Sequence, residues 1–220
     1  MSQNKKKEPP IATIRRLPTY LRVLYKMQEL GRKTVSSALI AQQVGGTASQ
    51  VRQDFRFFGP LSSSRNGYDI DSLIKICEKV LGIKSYCNPC IVVGYGNLGR
   101  AIANLSPVES RGFCIVAVFD NNPSIIGKTI ANFKVHSMSE LGKIVQEKNV
   151  KLAILTVPAS AAQEVCNNLV AVGIDGILNF APVQLSVPNY VVVEDVHIVN
   201  NLLVLNYLAN QNRNRRKGKK

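Results

Sequence analysis

The sequence predicts an α/β protein: an N-terminal winged helix-turn-helix, a Rossmann-type doubly wound domain, and a C-terminal helix that pairs with a second copy. Three observations carry this. Helical periods dominate the first 84 residues and enclose one hairpin signal. After Pro89, β-branched runs alternate with helical stretches, and the first run opens into a glycine motif. Charge is also segregated. Residues 1–86 hold 15 basic and 6 acidic side chains, residues 87–205 hold 7 and 8, and residues 206–220 hold 6 and 0. The net charge of +14 therefore lies on the first third and the tail, where it suits a polyanion.

Several classes fall away. A chain of 220 residues allows one or two domains. No apolar run reaches the ~18 residues of a transmembrane helix. Residues 1–10 are polar, carry Lys5-Lys6-Lys7, and lack the apolar stretch of a secretory signal. Five cysteines, an odd number, do not make a disulfide framework, and a reducing cytoplasm is expected.

In the first part, Leu17, Leu21, Leu24 and Leu30 stand at helical spacing, with Pro18 suited to a first turn and Gly31 to a C-cap. Ser36 or Ser37 can cap a second helix over 38–44, which Gly45-Gly46 breaks. Thr47 can cap a third, from Ala48 to about Phe57. Residues 59–70 read as two extended arms around an Asn66-Gly67 turn, and a fourth helix follows over 71–81. This is the winged-helix order, in which the third helix enters the major groove and the hairpin is the wing. Ser49, Gln50, Arg52, Gln53 and Arg56 on that helix, with Arg65 in the wing, are the expected DNA contacts.

In the second part, the apolar run 90–93 leads into Gly94-Tyr95-Gly96-Asn97-Leu98-Gly99, a GxGxxG between strand and helix. Its first glycine permits a tight turn, its second lets backbone approach a pyrophosphate, and its third lets helix and strand pack closely. A second strand over 114–119 ends in Asp120, 21 residues after Gly99. A carboxylate there accepts ribose hydroxyls and repels a 2′-phosphate. Asn121 and Asn122 follow without an arginine, so NAD(H) is expected over NADP.

Further strands are expected over 151–157, 176–180 and 190–194. Their ends place Val157, Pro158, Phe180, Ala181 and Pro182 beside a nicotinamide. The last helix, about His197 to Asn210, is apolar on more than one face through Ile198, Leu202, Leu203, Leu205, Tyr207 and Leu208. It needs two surfaces, and a homodimer supplies the second. The expected boundaries are 1–84 for the winged helix, 86–195 for the Rossmann domain, 196–210 for the dimerisation helix and 211–220 for a disordered basic tail.

No catalytic group and no metal site is expected. Only about 25 residues follow the last strand, too few for a substrate domain. The histidines are two, His136 and His197, and a lone histidine is more often a surface or core residue than a catalyst. Cys87-Asn88-Pro89-Cys90 is a CxxC, the spacing of a thiol pair, but no second CxxC or HxxxH completes a zinc site. The rival class is an NAD-dependent oxidoreductase with an incidental basic surface.

These residues resemble Rex, the redox-sensing transcriptional repressors, over nearly all of 10–210. The resemblance runs in one order through Ile11-Ala12-Thr13-Ile14-Arg15-Arg16-Leu17-Pro18, Val35-Ser36-Ser37, Gln50-Val51-Arg52-Gln53-Asp54 and Phe58-Gly59. It continues through Gly94 to Arg100, Arg111-Gly112-Phe113, Phe119-Asp120, Val157-Pro158-Ala159, Ala162-Gln163-Glu164-Val165 and Asn179-Phe180-Ala181-Pro182-Val183. It implies a homodimer with exchanged C-terminal helices, an inverted-repeat operator, and release of DNA by NADH.

The departures are specific. Gln53 stands where the family has a basic residue, and Ser62 to Gly67 replace its usual wing. Leu105 stands in place of a tyrosine, and His197 in place of an aspartate. In the family those two groups, with the arginine matching Arg16, form the polar switch between NAD and NADH states. Leucine cannot donate a hydrogen bond, and histidine cannot supply a carboxylate. The resemblance thus implies a repressor whose NADH response is weakened. The alternative to it, beside the oxidoreductase, is a DNA-binding regulator that no longer responds to NADH.

Overall fold

The computed structural model describes residues 8–59, 63–64, 67–83, 87–105 and 112–217. The chain forms two compact units, Met1–Ser85 and Tyr86–Lys220.

The first unit opens with α1 (Ile11–Glu29). It begins earlier than Pro18 suggests, because the carbonyl of Pro10 takes the N–H groups of Thr13 and Ile14 at 2.8 and 3.2 Å. Pro18 lies inside the helix on its exposed side, where water can satisfy the carbonyl that it leaves without a donor. Ser36 caps α2 (Ser37–Val44) by accepting from the N–H of Leu39 at 3.1 Å, and Gly45 ends it in the left-handed region at φ 69°. Thr47 caps α3 (Ala48–Arg56), accepting from Gln50 N–H at 3.2 Å.

Three short antiparallel strands follow the order β1 (Thr34–Val35), β3 (Gly67–Asp69), β2 (Ser63–Ser64). Ser64 stands opposite Gly67, so two residues join β2 to β3, as a hairpin requires. These two, Arg65 and Asn66, lie outside the described residues. Asp69 then caps α4 (Ile70–Val80) through Ser72 N–H at 2.8 Å. Leu17, Tyr20, Leu24, Ile40, Val51, Phe55 and Leu73 bury the helices against one another.

The second unit is built on a sheet in the order β10-β9-β8-β4-β5-β7-β6. Its strands are β4 (Asn88–Val93), β5 (Phe113–Asp120), β6 (Thr129–Ile130), β7 (Phe133–Ser137), β8 (Leu152–Leu155), β9 (Gly176–Asn179) and β10 (Val192–Asp195). All are parallel except the edge strand β6. Helix α5 (Asn97–Ala103) packs on one face through Ile102 and Ala103. Helices α6 (Leu141–Glu147) and α7 (Ala159–Ala171) bury Leu141, Ile144, Ala162, Cys166 and Leu169 in a second core with Ile91, Val93 and Leu155.

The chain reverses direction across the sheet between β4 and β8, the switch point at which open α/β sheets bind ligands. Register fixes what meets there. Val93 pairs with Phe119 and with Leu155, Leu155 with Asn179, and Asn179 with Asp195. Gly94, Asp120, Thr156, Phe180 and Val196 therefore emerge in one row.

The last helix, α8 (Ile198–Lys217), runs seven residues past the expected end, so 211–217 are helical rather than a disordered tail. Its apolar side chains are exposed, from 52% at Leu208 to 65% at Val199. The CxxC does not form a pair. Cys87 is joined to Cys114 instead, with Cα atoms 5.6 Å apart. Residues three apart on an extended strand stand about 10 Å apart, whereas neighbouring strands stand about 5 Å apart. Cys90 is buried, which pushes its thiol up to about 11.

Candidate functional site

Each motif glycine has a distinct environment. Gly94 adopts φ +94°, and a Cβ there would lie 2.6 Å from the carbonyl oxygen of Thr156. A Cβ on Gly99 would collide with the carbonyl of Gly94, so only glycine lets α5 start this close to β4. A Cβ on Gly96 would meet nothing within 4 Å, and this residue opens onto the pocket. It also caps α5 without a side-chain acceptor, which leaves first-turn N–H groups for an anion.

The pocket measures about 500 Å³. Gly94, Gly96, Asp120, Val157 and Pro158, five of the residues expected to bind the cofactor, line it together with Asn121 and Asn122. Asp120 is oriented by two backbone donors: Tyr95 N–H at 2.7 Å and Asn122 N–H at 2.8 Å. Tyr95 contributes backbone only. Its ring is buried, and its hydroxyl donates to the carbonyl of Ile130 at 3.2 Å. Asn97 and Leu98 are exposed on the first turn of α5.

Thr156 escaped the sequence reading. Its hydroxyl reaches the carbonyl of Gly94 at 2.6 Å and that of Val93 at 3.1 Å, bracing the glycine loop from β8. Met138, Ala161 and Val165 add apolar lining. The only signal for Thr156 was its place one residue before Val157-Pro158. Phe180, Ala181 and Pro182 stand in the row at the end of β9 but do not line this pocket. Asn179, fully buried, holds that turn. Its amide donates to Val183 O at 2.9 Å and to Asp195 Oδ1 at 2.8 Å, and its oxygen accepts from Ala181 N–H at 3.0 Å.

On α3, Ser49, Arg52, Gln53 and Arg56 face water. The Arg52 guanidinium donates to Ser37 Oγ at 3.2 Å. Gln50 turns inward, and its amide donates to Asp54 Oδ1 at 3.1 Å. Asp54 is fully buried and collects further bonds from α1. Arg16 meets it through both Nε and a terminal nitrogen at 2.7 Å, Tyr20 through its hydroxyl at 2.7 Å, and Thr13 at 3.0 Å. Burial pushes this carboxyl up, but the bonds from Arg16, Tyr20 and Thr13 outweigh burial and hold it below the usual range. The Tyr20 hydroxyl is pushed up to about 12 by burial and by Asp54.

The three positions expected to form a switch divide between the units. Arg16 lies in the first, bound to Asp54. Leu105, just past α5, is exposed, and His197 sits at the base of α8 beside Glu194 and Asp195. No cluster of metal-binding side chains is present among the described residues, and no helix among them is long and apolar enough to cross a membrane.

A winged helix followed in one chain by a Rossmann domain with an open phosphate loop defines a class, the DNA-binding domain coupled to a dinucleotide-type domain. Family models agree in both halves. Residues 10–55 match a putative DNA-binding protein N-terminus, and residues 86–183 match a CoA binding domain. The redox-sensing transcriptional repressor Rex of Carboxydothermus hydrogenoformans is 44% identical over 198 residues, covering 90% of this chain and 95% of that protein. RSP, a Rex-family repressor, in complex with NAD+ and operator DNA matches with a TM-score of 0.86 at 34% identity, over 97% of this chain and 98% of that one. Its complex with NADH matches at 0.85 and 35%, over 94% and 97%. This chain belongs to the Rex family of redox-sensing transcriptional repressors.

Proposed function

We propose that this chain is a dimeric, sequence-specific repressor that binds NAD(H) as a regulatory ligand and not as a hydride donor to a substrate, and that it works in the cytoplasm. The observation that carries the reading is the open Gly96 beside an oriented Asp120. They support a phosphate and a ribose site in a chain that also presents a polar helix α3. The relatives named as repressors support regulation over turnover.

Dimerisation follows from two apolar surfaces. The α5 face of the sheet continues through Leu152, Ile154, Leu178 and Val192 into an open trough of about 370 Å³. The exposed side of α8 from a second copy matches it in chemistry. Two winged helices related by a twofold axis read an inverted repeat. Ser49, Arg52, Gln53 and Arg56 supply contacts from α3, and Arg65 supplies one from the wing.

The nicotinamide response is attenuated. Leu105 cannot hydrogen-bond, His197 carries no carboxylate, and Arg16 is already engaged by Asp54. A ligand shifts an equilibrium only by its differential affinity for the two states, and here few polar groups distinguish the rings. Selection of bound duplexes from a random pool, with calorimetry of NAD and NADP, tests the reading. One enriched inverted repeat and tighter binding of NAD are expected. No enriched motif, together with NAD-dependent turnover of a small substrate, would overturn it.

A further inference from the structure

Helix α8 changes character along its length. Its first eleven residues, 198–208, carry exposed apolar side chains and no charge. Its end is the reverse. Arg213, Arg215, Arg216, Lys217, Lys219 and Lys220 are six cations in eight residues, and no carboxylate follows Asp195. The helix runs unbroken through Lys217, so the first four cations belong to one rod with 1.5 Å of rise per residue. Arg213, Arg215 and Arg216 are exposed. Arg213 donates to Asn210 Oδ1 at 3.1 Å, and no described carboxylate pairs with any of the three.

A helix C-terminus favours a cation or two in its last turn. Arg213, Arg215 and Arg216, with no described counter-charge, repel one another, and the surplus is relieved when a polyanion displaces their counterions. Arginines suit phosphate because the guanidinium donates a fork of hydrogen bonds. The apolar segment that the dimer reading assigns to the partner subunit ends at Leu208, before the first cation at Arg213, so on that reading dimerisation leaves these charges free.

We propose that the basic end of α8 is a second DNA contact, which grips backbone phosphates without reading sequence. It rests on the DNA-binding reading above and adds to the recognition helix an affinity term indifferent to base identity. It also accounts for the second pole of the charge segregation, which the winged helix alone leaves unexplained.

The test compares the full chain with a chain ending at Asn212 and with the full-length triple variant R213Q/R215Q/R216Q. The probes are the duplex recovered by selection and a scrambled duplex of equal length, between 50 and 200 mM salt. Light scattering checks that all three proteins are dimers. Each lost phosphate contact lowers the slope of log affinity against log salt by about 0.9. With one or more contacts per protomer, both variants lose about 2 or more in slope. They weaken on both duplexes by the same factor, so the preference for the selected duplex holds within about twofold.

Unchanged slopes in dimeric variants would overturn the proposal, and so would a loss confined to the selected duplex. Full-chain binding of single-stranded RNA or anionic vesicles that exceeds binding of scrambled duplex, and is lost in the variants, would assign the charges to another polyanion. A full chain that binds neither duplex would instead overturn the DNA-binding reading itself.

Discussion

Asp54 is a carboxylate buried on the recognition helix and answered by Arg16, Tyr20 and Thr13 of the first helix. Asparagine keeps one oxygen but turns the other into a donating amide, so some of those donors lose their acceptor and Arg16 loses its counter-charge. Asp54→Asn is expected to cost about 2–3 kcal/mol in urea unfolding at pH 7. The pH dependence follows from the depressed folded value. The contribution is fully present above the unfolded value of about 3.9, and is lost as pH falls through the lower folded value. The difference between wild type and variant therefore narrows below pH 4; a constant gap would contradict the assignment. Asp120 makes a different prediction. Held by the N–H groups of Tyr95 and Asn122, it lines the pocket. Asp120→Ala is expected to weaken NAD by about tenfold or more in calorimetry and to narrow the gap to NADP.

At the scale of elements, the glycine loop separates folding from binding. Gly96 has free space around it at φ −73°, so Gly96→Ala is expected to leave stability within about 0.5 kcal/mol while weakening NAD, since its Cβ would fill the space proposed for the pyrophosphate. Gly99→Ala is expected to lower the melting temperature, because its Cβ has nowhere to go. Thermal melts and NAD titration of the two variants check the pair. The loop was legible because each glycine answers a local backbone demand. The caps Ser36 and Thr47 were legible for the same reason.

Other features were not, because they depend on long-range register. Thr156 reaches the loop from 62 residues away, and Asp54 is joined to Arg16 across 38. The Cys87–Cys114 link needs the β4–β5 pairing to be known first. The length of α8 was underread because polarity after Asn210 suggests a tail, although Asn, Gln and Arg all continue a helix once it is started. On that helix, Leu202→Asp with Leu205→Asp is expected to give monomers by light scattering, since both side chains are more than half exposed in one copy.

The whole molecule joins a reader of DNA to a reader of a dinucleotide, and its function lies in their coupling. Such coupling is a free energy, bounded by how differently the two nicotinamide forms are held in the two states. On the proposed reading the pocket carries the parts common to both forms: Gly96 for phosphate, Asp120 for ribose, and apolar lining. On the proposed reading the polar groups that discriminate the ring are replaced at Leu105 and His197. Restoring them by Leu105→Tyr with His197→Asp is expected to enlarge the effect of NADH, which titrations of the double variant would show.

The most direct measurement is operator affinity of the dimer at one fixed salt concentration, with saturating NAD and then saturating NADH. The account predicts that NADH weakens binding measurably but by less than about tenfold, that is, by less than about 1.4 kcal/mol. Equal affinities would contradict the coupling, and a loss of tenfold or more would contradict its attenuation.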